Sequence, residues 1–122
     1  MAAIRSYTTI EQSKVLAEIL PPESADMYYP WYIEEDGDTI ESGHRITTPN
    51  VGNFTTHKVN KMILPCWSLA ALLEVLPNEN MLVKTTDSEY YCLAKDIMTK
   101  HYNNPIDACY EMVLELKRKE LL

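Results

Sequence analysis

The stretch Asn104-Pro105-Ile106-Asp107-Ala108-Cys109-Tyr110-Glu111-Met112-Val113-Leu114-Glu115-Leu116-Lys117-Arg118 decides how this chain folds. Asn104 can cap a helix, Pro105 suits the first helical position, and Asp107 favours the positive end of the helix dipole. Ile106, Cys109, Val113 and Leu116 then recur at helical spacing, and Met112 widens the stripe. Asp107, Glu111, Glu115 and Arg118 line the opposite side, and Lys117-Arg118-Lys119 suits the negative end of the dipole.

Working outward, Met81 to Thr85 and Glu89 to Lys95 are β-leaning runs on either side of the polar Thr86-Asp87-Ser88. They predict a hairpin, to which Ile97 to Tyr102 adds a third strand. Leu64-Pro65-Cys66-Trp67-Ser68-Leu69-Ala70-Ala71-Leu72-Leu73-Glu74-Val75-Leu76-Pro77 has a proline near each end and helix formers between, and so predicts a short buried helix. Thr8-Thr9-Ile10-Glu11-Gln12 contains two overlapping capping boxes and opens a helix over residues 9–20, which Pro21-Pro22 stops. Trp31, Tyr32 and Ile33 favour strand, and Asp36-Gly37 is a hairpin turn that folds Thr39-Ile40 back against them. Residues 47–53 are turn-rich and read as a surface loop. The expectation is an α+β fold in which three helices pack with a small, mainly antiparallel β-sheet, as one globular domain over residues 1–122.

Composition narrows the function classes. With 46% hydrophobic and 24% charged residues the chain is an ordinary globular protein. Met1 to Lys14 lacks the apolar run of a signal peptide, and Met62 to Leu76 falls well short of the roughly 20 residues that span a bilayer. Cys66, Cys92 and Cys109 are odd in number and widely spaced, which points to reduced, buried thiols and a cytoplasmic location. Net charge is −7, and Glu34, Glu35, Asp36, Asp38 and Glu41 concentrate five acids, leaving 13 acids against 11 bases elsewhere. Direct binding to nucleic-acid phosphates is disfavoured, because such domains carry a net basic face.

Four pieces of the chain carry a resemblance: Thr8-Thr9-Ile10-Glu11-Gln12-Ser13, Ser24-Ala25-Asp26-Met27-Tyr28-Tyr29-Pro30, Pro65-Cys66-Trp67-Ser68-Leu69-Ala70-Ala71-Leu72-Leu73 and Asn104-Pro105-Ile106-Asp107-Ala108-Cys109. Together they resemble a group of small proteins of unassigned activity from gut Bacteroidetes and their phages or mobile elements. The stretch from about Glu34 to Asn60 matches no pattern of that group. The resemblance implies a cytoplasmic bacterial or phage-encoded protein and supplies no site.

Three constellations could carry chemistry. Cys66 at a helix N-terminus could gain thiolate character, with His44, His57 or His101 as base, in a small hydrolase or transferase. Against this, Cys66 lies between Pro65 and Trp67 in an apolar context without a cysteine-enzyme signature. The histidines and the acids of residues 34–41 lack metal-ligand spacing, so neither a metal nor another cofactor is expected. Met27-Tyr28-Tyr29-Pro30-Trp31-Tyr32 holds four of the eleven aromatic residues, and Tyr28, Tyr29 and Trp31 are the candidate ligand-binding residues, weighed against alternate rings buried in the core. The reading is a non-catalytic interaction protein with a protein partner or a second copy of itself. The alternatives are the Cys66 enzyme and an acidic decoy of a nucleic-acid-binding protein.

Five like charges within eight residues repel one another, and exposure is the arrangement that costs least. Changing Glu34→Gln, Glu35→Gln and Asp38→Asn together should move the unfolding free energy by about 1 kcal/mol or less in urea titration. Loss of folding in the triple variant would mean a buried network instead.

Overall fold

The computed structural model describes residues 5–33, 39–41 and 63–122, with residues 30–33, 39–41 and 63 placed by their backbone. Within the residues that the sequence reads as one domain, contacts group into two compact units: Met1–Thr8 with Ser68–Leu122, and Thr9–Trp67. Among the described residues there are three α-helices and two small antiparallel sheets, an α+β fold. None of those helices is long and apolar enough to cross a membrane.

The Thr9–Trp67 unit begins with α1, Ile10–Ala17, opened by the second of the two expected capping boxes. Thr9 Oγ1 accepts from the Gln12 backbone N–H at 3.1 Å, and Gln12 Oε1 accepts from the Thr9 N–H at 3.0 Å. The helix packs its Leu16 side against a sheet of strands β1 (Met27–Ile33), β2 (Thr39–Glu41) and β3 (Ile63–Cys66), ordered β2-β1-β3. Residues Met27 to Pro30 of β1 pair with β3, whereas Trp31 to Ile33 pair with β2. Pro30, which has no N–H to give to a ladder, therefore sits where one partner hands over to the other. The pairing of Trp31, Tyr32 and Ile33 with Thr39 to Glu41 agrees with the expected hairpin, whose turn at Asp36-Gly37 lies outside the described residues, as does the loop expected at 47–53. Trp67 closes the unit, fully buried, with its indole N–H donating to Ser24 Oγ at 2.9 Å on the 3₁₀ turn Pro22–Ser24.

The helix expected from Leu64 begins later, at Leu69. Leu64-Pro65-Cys66 belongs to strand β3 rather than to the start of a helix. Proline disfavours the helical region for the residue before it and cannot donate its own N–H, so Leu64-Pro65 is held extended against Tyr28 and Tyr29. The helix α2, Leu69–Val75, starts only after Ser68, whose hydroxyl accepts from the Ala71 N–H at 3.1 Å.

In the other unit, β4 (Met81–Lys84), β5 (Tyr90–Ala94) and β6 (Ile97–Met98) form a meander, and α3 (Pro105–Arg118) packs on it and on α2. Ile106, Cys109, Met112, Val113 and Leu116 all have no exposed surface, as the sequence periodicity requires. Opposite them lie the inward residues of β5, Cys92 and Ala94, also buried. Burial of side chains of this size is worth about 1.5–3 kcal/mol each, so this stripe is the main stabilising contact of the unit. The first residues strap the two helix starts: Leu69 N–H donates to Ser6 O at 3.0 Å, and Arg5 Nη2 meets Asp107 Oδ1 at 2.5 Å.

Two irregularities interrupt the meander. Lys95 and Asp96, both at positive φ (51° and 64°), form a two-residue turn between the paired Ala94 and Ile97. Asn-Gly is the usual sequence for such a turn, and side chains with a Cβ are held there at a cost. Beyond it, Leu93 pairs with Met98 but Tyr90 bridges Tyr102, a shift of one residue that marks a β-bulge at Thr99-Lys100. The Thr99 hydroxyl repairs the ladder: it accepts from Cys92 N–H at 2.9 Å and donates to Lys100 O at 2.9 Å.

Relief of the turn gives a test. Asp96→Gly should raise the unfolding free energy by about 0.5–1 kcal/mol in chemical denaturation, since glycine adopts positive φ freely. A loss of that size would show that the aspartate side chain stabilises the turn.

Candidate functional site

The bulge has a consequence at the sheet edge. β6 is an edge strand, and the chain that leaves it runs past the flank of α3, where a cleft of about 360 Å³ opens. Ile97, Met98, Thr99, Lys100 and Tyr102 supply one wall, and Glu111, Glu115 and Arg118 supply the other. The helical residues are one and two turns apart, so the polar stripe read in the sequence becomes a wall of the cleft.

Its electrostatics are mixed. Arg118 Nη1 donates to Glu115 Oε2 at 2.6 Å, and Lys119 Nζ stands 3.9 Å from Glu115 Oε1. Lys100 and Glu111 add one charge of each sign. Burial first, and then the carboxylates of Glu111 and Asp107, push the Tyr102 phenol above its ordinary pKa, so it is a neutral hydrogen-bond donor at neutral pH. The Thr99 hydroxyl is engaged on both sides with backbone groups and is not poised as a nucleophile. These groups can orient a polar partner through hydrogen bonds and ion pairs.

The candidates singled out in the sequence are dispersed. Tyr29 is 6% exposed and belongs to the core of its unit, opposite Leu64. Tyr28, opposite Pro65, is half-buried, and Trp31 is placed by its backbone opposite Glu41. Cys66 is fully buried at the end of β3, outside the helix that starts at Leu69, so it does not hold the helix N-terminal position that the sequence suggested. Of its three candidate bases, His44 and His57 lie outside the described residues. The His101 ring stacks on Tyr91, with centroids 4.9 Å apart, and its Nδ1 is 3.5 Å from Glu89 Oε1. The acids at 34–38 also lie outside the described residues. Among the described residues no group of three or more His, Cys, Asp or Glu is placed to hold a metal ion.

The cleft was not foreseen, because Ile97 to Tyr102 and the polar face of α3 read separately as a strand and a solvated surface. A bulge between them has no sequence signal beyond the threonine. No family model, curated protein or solved structure matches this chain.

The phenols yield a pH test. Tyr102 and Tyr110 have folded-state pKa values raised above the ordinary value of about 10, in both cases first by burial. A raised value means that the protonated form is favoured by folding. The stability it contributes is complete below about pH 10 and is lost as the pH climbs through the folded-state value. Tyr102→Phe should therefore lose less stability than the parent between pH 9 and pH 11, measured as urea midpoints. Parallel loss in both would show that the phenol is solvated like that of a free tyrosine.

Proposed function

We propose that this chain is a non-catalytic interaction protein, and that it holds a segment of a protein partner in the cleft between β6 and α3. The observation that carries this reading is the state of the groups lining the cleft: Thr99 is committed to the backbone, Arg118 is paired with Glu115, and Tyr102 is held neutral. Such groups recognise a ligand better than they react with one. At about 360 Å³ the cleft is at the small end of ligand sites, a size that suits a few side chains of a peptide. It also runs beside an edge strand, and an exposed strand edge is one of the recurring places where extended peptides bind. Opposite charges across the cleft would select the partner and set its direction. Tyr28 is the second candidate contact, on the other unit. The resemblance to proteins of gut Bacteroidetes and their phages favours an accessory role in a phage or mobile element.

A paired capture experiment tests this. Immobilised parent protein and a Glu111→Lys, Arg118→Glu variant with the same circular dichroism are exposed to the same host lysate. At least one protein should be retained by the parent and depleted about tenfold or more by the variant. Identical retention by both would remove the cleft from the interaction.

A further inference from the structure

We propose that the face of the β4-β5-β6 sheet turned away from α3 is a self-association surface, which packs on the same face of a second copy about a two-fold axis lying across the strands. The register fixes what this face carries. Cys92 and Ala94 are buried on the helix side, and their partners Leu82 and Ile97 share it, so alternation sends the intervening residues to the other side. Met81, Leu93 and Met98 form one row across the three strands, since Met81 pairs with Leu93 and Leu93 with Met98. Val83 and Tyr91 begin a second row, which His101 completes by stacking its ring on Tyr91. Met81 is 56% exposed and Met98 62%, the two most exposed large apolar side chains among the described residues.

The face is complementary to itself in charge and in shape. Glu89 stands two residues before Tyr91, on the same side and beyond the second row, with Oε1 3.5 Å from His101 Nδ1. Lys95 is exposed in the turn past the first row and makes no ion pair with another described residue. At about 3.3 Å per residue the two charges are roughly 20 Å apart, at opposite ends of the sheet. A two-fold axis across the strands reverses one copy over the other. It sets Glu89 of each copy against Lys95 of the other, and it lays each Met81-Leu93-Met98 row on the other copy's stacked rings, which methionine sulfur favours. An axis along the strands would oppose Glu89 to Glu89 instead.

Three strands about 4.8 Å apart and five residues long make a face of roughly 14 Å by 17 Å, and apolar patches of a few hundred Å² are often functional contacts. A standard complex buries about 800 Å² on each partner, so this dimer is a weak one.

Sedimentation velocity on the full chain tests the arrangement. Between about 10 µM and about 1 mM the weight-average mass should climb from 14.0 kDa towards twice that value. Met81→Glu should weaken association about tenfold or more with unchanged circular dichroism, because the new carboxylate would be buried unpaired in the interface. Met98 borders the cleft as well and is left intact, so the outcome does not depend on the cleft reading. Glu89→Lys and Lys95→Glu should each remain single chains, because each sets like charges together twice. Mixed one to one they should associate again, since every contact then pairs opposite charges. Should Met81→Glu not fold, the parent and the charge variants decide. A parent that keeps the mass of one chain over the whole range overturns the proposal. So does a dimer that Met81→Glu leaves unchanged, or a pair of charge variants that does not regain association on mixing.

Discussion

Burial of one helical stripe against one strand face is the constraint on which the unit of Met1–Thr8 and Ser68–Leu122 depends. Ile106, Cys109, Met112, Val113 and Leu116 must leave water together, and the inward residues of β5 provide the surface that receives them. The other features of that unit serve this contact. Asn104 Oδ1 accepts from Ile106 N–H at 3.0 Å, so the helix starts where its first apolar residue enters the core. At the far end, Leu121 N–H reaches Leu116 O at 2.8 Å while Glu120 takes a positive φ, which ends the helix directly after its last buried side chain.

The same packing explains the polarity of the cleft. A helix whose apolar stripe is committed to β5 must turn Glu111, Glu115 and Arg118 away from it, and past the edge of β6 those residues meet the chain that leaves the strand. The bulge at Thr99-Lys100 bends that chain, and the Thr99 hydroxyl keeps Cys92 N–H satisfied while the register slips. A regular strand would have continued the ladder and given this edge a different outline. Site and fold therefore share residues: Thr99 lines the cleft and also holds the strand that carries a buried thiol.

Local rules were sufficient wherever a segment's own chemistry settled its conformation. The capping box at Thr9 and Gln12, the Asn104-Pro105 start, the two β-leaning runs around Thr86-Asp87-Ser88 and the stripe of α3 all stand where the sequence places them. Helix α1 ends at Ala17, short of the expected residue 20, although Leu20 N–H still reaches Leu16 O at 2.8 Å. The reading failed at Leu64-Pro65-Cys66, where helix formers downstream outweighed the extended preference of the residue before proline. It also passed over Lys95-Asp96, because neither residue advertises positive φ in the way that glycine does.

By itself, then, the amino-acid sequence determined the fold class, the long amphipathic helix and its buried face, and the hairpins, because spacing and capping act over a few residues. Only the tertiary structure decided that Cys92 is buried beneath α3, that Tyr29 goes into the core while Tyr28 stays partly at the surface, and that Tyr102 shares a cleft with Glu111 and Arg118. Those pairings depend on register and on the way a helix seats across strands. Periodicity states which face is buried, whereas the partner on the other side is chosen by the packing of the whole core.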